Sequence, residues 1–243
     1  MKTSKQTIFN KVKLMVPLVL LTASLGACSL TSQANTNSST SAKTSQTTSN
    51  KTSTDSSSYF TDKDQDSSYD ESSATKVSLS GSTAKVSGNG AAVSGSTVTI
   101  TAAGTYILSG SSENVQIVVK AGDQDKVQIV LNGVTMKGTD AAILVESADK
   151  TFITLAEGSQ NSISDSTNHT NTDYDAAIYS KDDLTFNGSG SLTIEGNYGN
   201  AVESNDDLRI TGGTYTIKAY KNALSANDAL NIKDATLDLT ANE

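Results

Sequence analysis

The segments AIYSKDDLTFNGSGSLTIEGNYGN (residues 177–200), AVESNDDLRITGGTYTIKAYKN (201–222) and ALSANDALNIKDATLDLTANE (223–243) are successive copies of one unit, and their alignment decides the fold class. Reading down the copies gives matched columns: Ala177, Ala201 and Ala223; Ile178, Val202 and Leu224; Leu184, Leu208 and Leu230; Phe186, Ile210 and Ile232; Ile194, Ile217 and Leu239. Apolar residues return at the same phase each time, and no stretch holds a helical period. Upstream, VQIVLNG (127–133) and TFITLAEG (151–158) repeat at the same spacing. The longer gap from Leu155 to Phe186 places an insertion near Ser164–Tyr174.

A unit of 22–24 residues with two or three strand-like pieces is what one coil of a parallel β-helix requires, since a single coil cannot bury its apolar face and must stack on the next. The expected fold is therefore all-β, a right-handed parallel β-helix solenoid over residues 76–243, the hand following from the handedness of parallel crossovers. A β-sandwich of hairpins is the competing arrangement. The third copy stops at Glu243 without a cap, so a C-terminal truncation is expected.

The other end carries an address. Lys2, Lys5, Lys11 and Lys13 precede an apolar run from Leu14 to Ala27, too short for a bilayer-spanning helix and interrupted by Pro17, which reads as a signal peptide over residues 1–27. Leu25-Gly26-Ala27-Cys28 resembles the bacterial lipobox, making Cys28, the sole cysteine, the lipidation site. Removing the four leader lysines from 18 basic residues leaves 14 against 26 acidic ones, a net charge of −12. That balance disfavours nucleic acid and anionic headgroups, so attachment to the outer face of the cell membrane falls to the lipid alone. Residues 28–75 are rich in Ser and Thr with few large apolar side chains, and are expected to form a disordered tether. The cluster Asp62, Asp64, Asp66, Asp70 and Glu71 lacks the spacing of an EF-hand loop and reads as a solvated charge run.

NGAAVSGSTVTITAAGTYILSG (from Asn89), VQIVLNGVTM (from Val127) and AIYSKDDLTFNGSGSLTI (from Ala177) resemble the bacterial carbohydrate-binding β-helix family typified by calcium-containing, polygalacturonate-binding surface proteins. The likeness covers about two-thirds of the chain. It implies a shape related to pectate lyases, bound calcium, and affinity for an acidic, uronate-containing polysaccharide without cleavage.

Two columns of the repeat bear on that expectation. Stacked coils bring Asp182, Asp206 and Asp228 about one strand spacing apart, flanked by Asp183 and Asp207, with Asp175 supplied from the insertion side. Adjacent carboxylates repel, and calcium, which accepts six to eight oxygen ligands in loose geometry, relieves the repulsion. Turn-favouring aspartates pointing into water are the alternative. Tyr174, Tyr198 and Tyr220, each three positions before the alanine column, offer aromatic faces to pyranose rings or else form a ladder that staples the coils. Lys181 and Lys221 stand nearby for uronate carboxylates, with Lys218 and Arg209 in support. His169, the sole histidine, is expected to be solvated in its polar loop.

These features point to a monomeric surface module that binds acidic polysaccharide without catalysis. A calcium-dependent pectate-type lyase, with Arg209 or a lysine as base, and a protein-binding adhesin or spacer remain as alternatives.

Overall fold

The computed structural model describes residues 59–242. The signal peptide, Cys28 and the tether up to residue 58 lie outside the described residues.

The chain first forms α1 (Asp62–Gln65), a single helical turn. Two hairpins follow, β1 (Thr75–Gly81) with β2 (Thr83–Ser87) and β3 (Ala91–Ser94) with β4 (Thr97–Ile100). Next come β5 (Gly104–Glu113), β6 (Gln116–Lys120), β7 (Lys126–Lys137), β8 (Ile143–Ser147), β9 (Lys150–Leu155) and β10 (Gln160–Ser164). After the insertion, the three copies supply β11 (Ala176–Ser180), β12 (Leu184–Gly188) and β13 (Ser191–Gly196), then β14 (Asn200–Ser204), β15 (Leu208–Thr211) and β16 (Thr214–Ala219). The last copy gives β17 (Leu224–Ala226), β18 (Leu230–Lys233) and β19 (Thr236–Ala241).

The repeat columns are ladder partners. Ile178 pairs with Val202 and Val202 with Leu224; Leu184 with Leu208 and Leu208 with Leu230; Ile194 with Ile217 and Ile217 with Leu239, all in parallel register. Side chains alternate across a strand, so this register puts every apolar column on the inner face. One continuous core results, containing Leu184, Phe186, Ile194, Val202, Leu208, Ile210 and Ile217, with Phe186 edge-on to Tyr215 at 6.0 Å.

The sheets are not connected as a right-handed parallel β-helix solenoid, and that expectation is corrected. Such a solenoid keeps each strand column in its own sheet. Here twelve strands form one sheet, ordered β18-β15-β12-β9-β7-β10-β13-β16-β19 with β5, β1 and β2 branching from β7, and it curls into a half-barrel. The second sheet, β17-β14-β11-β8-β6-β4-β3, is separate and mixed, ending in the antiparallel β3–β4 pair. The physical cause lies in β5 and β7. Both strands run through a corner instead of stopping at it, with positive-φ glycines Gly110 (φ 92°) and Gly133 (φ 74°) making the bend, so hydrogen bonding continues from one arm of the sheet into the other.

Residues 59–74, assigned to the tether in the sequence, lie against the curled sheet as a strap. Thr61 caps α1, its hydroxyl and N–H engaging Asp64 in a capping box. Asp64 is fully buried, contrary to the solvated charge run expected there. Lys150 Nζ and Thr185 Oγ1 each donate to Asp64 Oδ1 at 2.7 Å. Burial opposes ionisation of this carboxyl most strongly, but Lys150, the Thr61 N–H and the Thr185 hydroxyl together hold it below the usual range.

Candidate functional site

The outer face of the second sheet carries the column Val118, Leu144, Tyr179 and Glu203, paired strand to strand from β6 to β14. Tyr179 packs with Val118, Ala141, Leu144 and Ala176 in a small apolar cluster. The insertion brings Tyr174 onto it: the two tyrosine rings sit 5.1 Å apart, tilted by 53°. Lys181 Nζ lies 5.2 Å from the centre of the Tyr174 ring, and its hydrogen bond to that tyrosine raises the ammonium pKa. The Tyr179 hydroxyl donates to Asn205 Oδ1 at 3.1 Å.

Beside this aromatic pair lies a polar group. Lys221 Nζ is 2.7 Å from Asp175 Oδ2, and Asn200 Nδ2 donates to Glu203. Burial and the neighbouring Asp175 carboxylate push Glu203 above the ordinary carboxylate range. Around the corner, Tyr220 is 57 % exposed beside a groove of about 330 Å³ formed with Glu195, Asn197, Lys218 and Thr240.

The three tyrosines expected as one column have thus found different partners. Tyr174 lies on Tyr179, Tyr198 is stacked on His169 with ring centres 4.3 Å apart, and Tyr220 faces solvent. His169 is buried at 9 % exposure, a correction to the solvated reading. Its Nδ1 lies 3.0 Å from the Tyr174 carbonyl, which only accepts, so Nδ1 carries a proton; Nε2 lies 2.9 Å from Asp165 Oδ2. Burial raises the Asp165 pKa despite the Asn197 N–H and His169. Together with Asp140, which accepts from Thr170 and Asn171, this pair fixes the insertion that presents Tyr174.

The six aspartates expected to hold calcium separate into three settings. Asp175 sits with Lys221 on the second sheet. Asp183 accepts from Arg209 Nη1 at 2.8 Å and lies 3.5 Å from Lys150 Nζ, while Asp207 accepts from Arg209 Nη2. Asp182 accepts from the Ala148 N–H, and Asp206 and Asp228 stand exposed on the turn. Partial burial, then Asp183, Asp228, Asp182 and Asp207, raise the Asp206 pKa, so the mutual repulsion is present. Among the described residues, however, no three acidic, His or Cys side chains are arranged to hold a metal, and Arg209 and Lys150 already neutralise two of the carboxylates. The donor set does not fit a calcium cage. The same ion pairs close off Arg209 as a lyase base.

Tyr179, Glu203 and Asn205 went unnoticed in the sequence. A signal existed for Tyr179: the repeat phase puts it next to inward Ile178, so the alternation of a strand turns its ring to the outer face.

The outer face of the second sheet thus carries the half-buried Tyr174 on the buried Tyr179, flanked by amide, carboxylate and ammonium groups. The family model for carbohydrate-binding domain-containing proteins matches residues 94–243, and the chain belongs to that family. A carbohydrate-binding domain-containing protein of Acetivibrio thermocellus is 39 % identical over 128 residues, covering 50 % of this chain and 45 % of that protein. The chain therefore spans less than half the length of that relative. A solved polysaccharide lyase-like protein from C. thermocellum, in a gadolinium derivative, aligns with TM-score 0.67 and 34 % identity over 69 % of this chain and 70 % of its own. The family and the relative are named for binding, not for a reaction.

Proposed function

We propose that this chain is a lipid-anchored cell-surface protein whose β domain binds an acidic, uronate-containing polysaccharide without cleaving it, through the outer face of the second sheet. The observation that carries this reading is Tyr174 and Tyr179 packed at 5.1 Å under the Lys181 ammonium. The accessible part of the Tyr174 ring, backed by the buried Tyr179, takes the apolar face of a pyranose, and a cation beside it selects a carboxylate-bearing sugar over a neutral one. Tyr220 and its groove extend the surface toward a polymer. The lipobox at Cys28 supports the anchor, and nothing in the ligand set calls for nucleic acid.

Affinity electrophoresis in polygalacturonate and in a neutral β-glucan tests the reading. Retardation by polygalacturonate alone, reduced by Lys181→Ala and by Tyr220→Ala, is the expected result, with no absorbance from unsaturated product. Equal retardation by both polymers would refute the acidic preference. Retention in chelator supports direct contact with the protein, whereas its loss would assign the carboxylate contact to a bridging cation. For the anchor, Cys28→Ser is expected to abolish incorporation of labelled palmitate.

A further inference from the structure

The strap over the curled sheet is bound in one chemical direction. The strand face beneath it donates and the strap accepts. Lys150 and Thr185 donate to the Asp64 carboxylate, Thr211 Oγ1 donates to the Asp64 carbonyl, and Asn187 Nδ2 to the carbonyls of Asp64 and Asp66. Arg209 Nε also donates to the Tyr59 carbonyl, Lys233 Nζ to Gln65 Oε1, and Gln128 Nε2 to the Ser68 carbonyl. Thr185 and Asn187 are fully buried and Lys150 is nearly so, although they stand on the outer face of their strands. This face also carries the outward Phe152, paired with Thr185, but its Thr, Asn, Lys and Arg groups are costly to bury unless an acceptor-rich chain lies on them. The strap brings modest apolar anchorage, chiefly Phe60 at one end and Tyr69 at the other.

A row of donors arranged around one carboxylate, with neutral acceptor oxygens on either side, matches what a uronate polymer offers: a carboxylate on each ring, flanked by hydroxyl and glycosidic oxygens. We infer that the outer face of β9, β12 and β15, around Lys150, Thr185, Asn187, Thr211 and Arg209, is a second polyuronate-binding site, and that the strap occupies it with Asp64 in the place of a sugar carboxylate. This inference rests on the acidic-glycan reading and adds a site to it. While the strap is seated, only the fraction of molecules with the face open is competent, and apparent affinity is reduced by that fraction.

The test uses the full chain and polygalacturonate, followed by calorimetry, with hydrogen exchange reporting which segments are seated. Asp64→Asn keeps the shape of the strap but removes its charge. A second variant replaces residues 59–68 with a Gly/Ser stretch of equal length, so that release of the face does not depend on one substitution. Both are expected to bind polygalacturonate on the order of tenfold more tightly than the wild type. Adding Lys150→Gln to the second variant is expected to abolish the gain. If the strap is released, the strands keep their exchange protection and affinity does not rise, the site is overturned while the acidic reading stands. If wild type and both variants bind the neutral glucan but not polygalacturonate, both ideas fall.

Discussion

Lys150 Nζ lies 2.7 Å from Asp64 Oδ1, and neither side chain is more than 9 % exposed. The pair joins the strap to β9, far apart in sequence. Removing one partner of a buried ion pair ordinarily costs about 3–5 kcal/mol, because the other charge stays buried. Here Asp64 has an escape, since the strap can lift into water. In Lys150→Met, the loss is therefore limited to the free energy of strap docking. Hydrogen exchange across residues 59–69 is expected to speed up while β9 and β12 keep their protection. Uniform loss of protection would show that the strap is integral to the core.

The same carboxyl gives a pH dependence of definite sign. Its folded pKa lies below the unfolded value of about 3.9, so ionised Asp64 contributes stability that is complete above that value and is lost as pH falls through the folded one. Strap protection measured by exchange is expected to hold from neutral pH to about 5 and to decline below about 4. In Asp64→Asn this acid limb should be absent.

Thr151 is fully buried at an inward position of β9, between Val127 and Leu184 in the ladder, and its hydroxyl has no hydrogen-bond partner. A buried unsatisfied hydroxyl costs about 1–3 kcal/mol, and valine has nearly the same shape. Thr151→Val is expected to raise the urea midpoint, with a gain of about 1 kcal/mol and an unchanged m-value.

Glu203 behaves in the opposite sense to Asp64. Its folded pKa is raised, by burial first and by Asp175 after it, so its carboxyl costs stability increasingly as pH rises from the unfolded value through the folded one. Glu203→Gln is expected to stabilise the fold at pH 7 by less than about 1 kcal/mol, and by less still at pH 4. Thermal unfolding at the two pH values checks the difference.

The repeat columns made the ladder register legible, because a buried inner face punishes any slip: Leu184, Leu208 and Leu230 are neighbours in space as they are in the alignment. The join between the sheet arms was not legible, since it depends on β5 and β7 continuing through Gly110 and Gly133 rather than breaking there. The strap was hidden for a different reason. It docks largely through backbone carbonyls and one charge, so its Ser- and Asp-rich composition looks the same as that of a solvated tether. The insertion misled the tyrosine column, because His169 inserts a ring against Tyr198 and turns Tyr174 toward Tyr179 instead.

Within the curled sheet, β7 bonds to β9 with Lys126–Leu131, to β10 with Thr135–Lys137, and to β5 along both parts. It is the keystone through which the arm ending in β18 meets the arm ending in β19. Damage at this strand therefore reaches both arms at once.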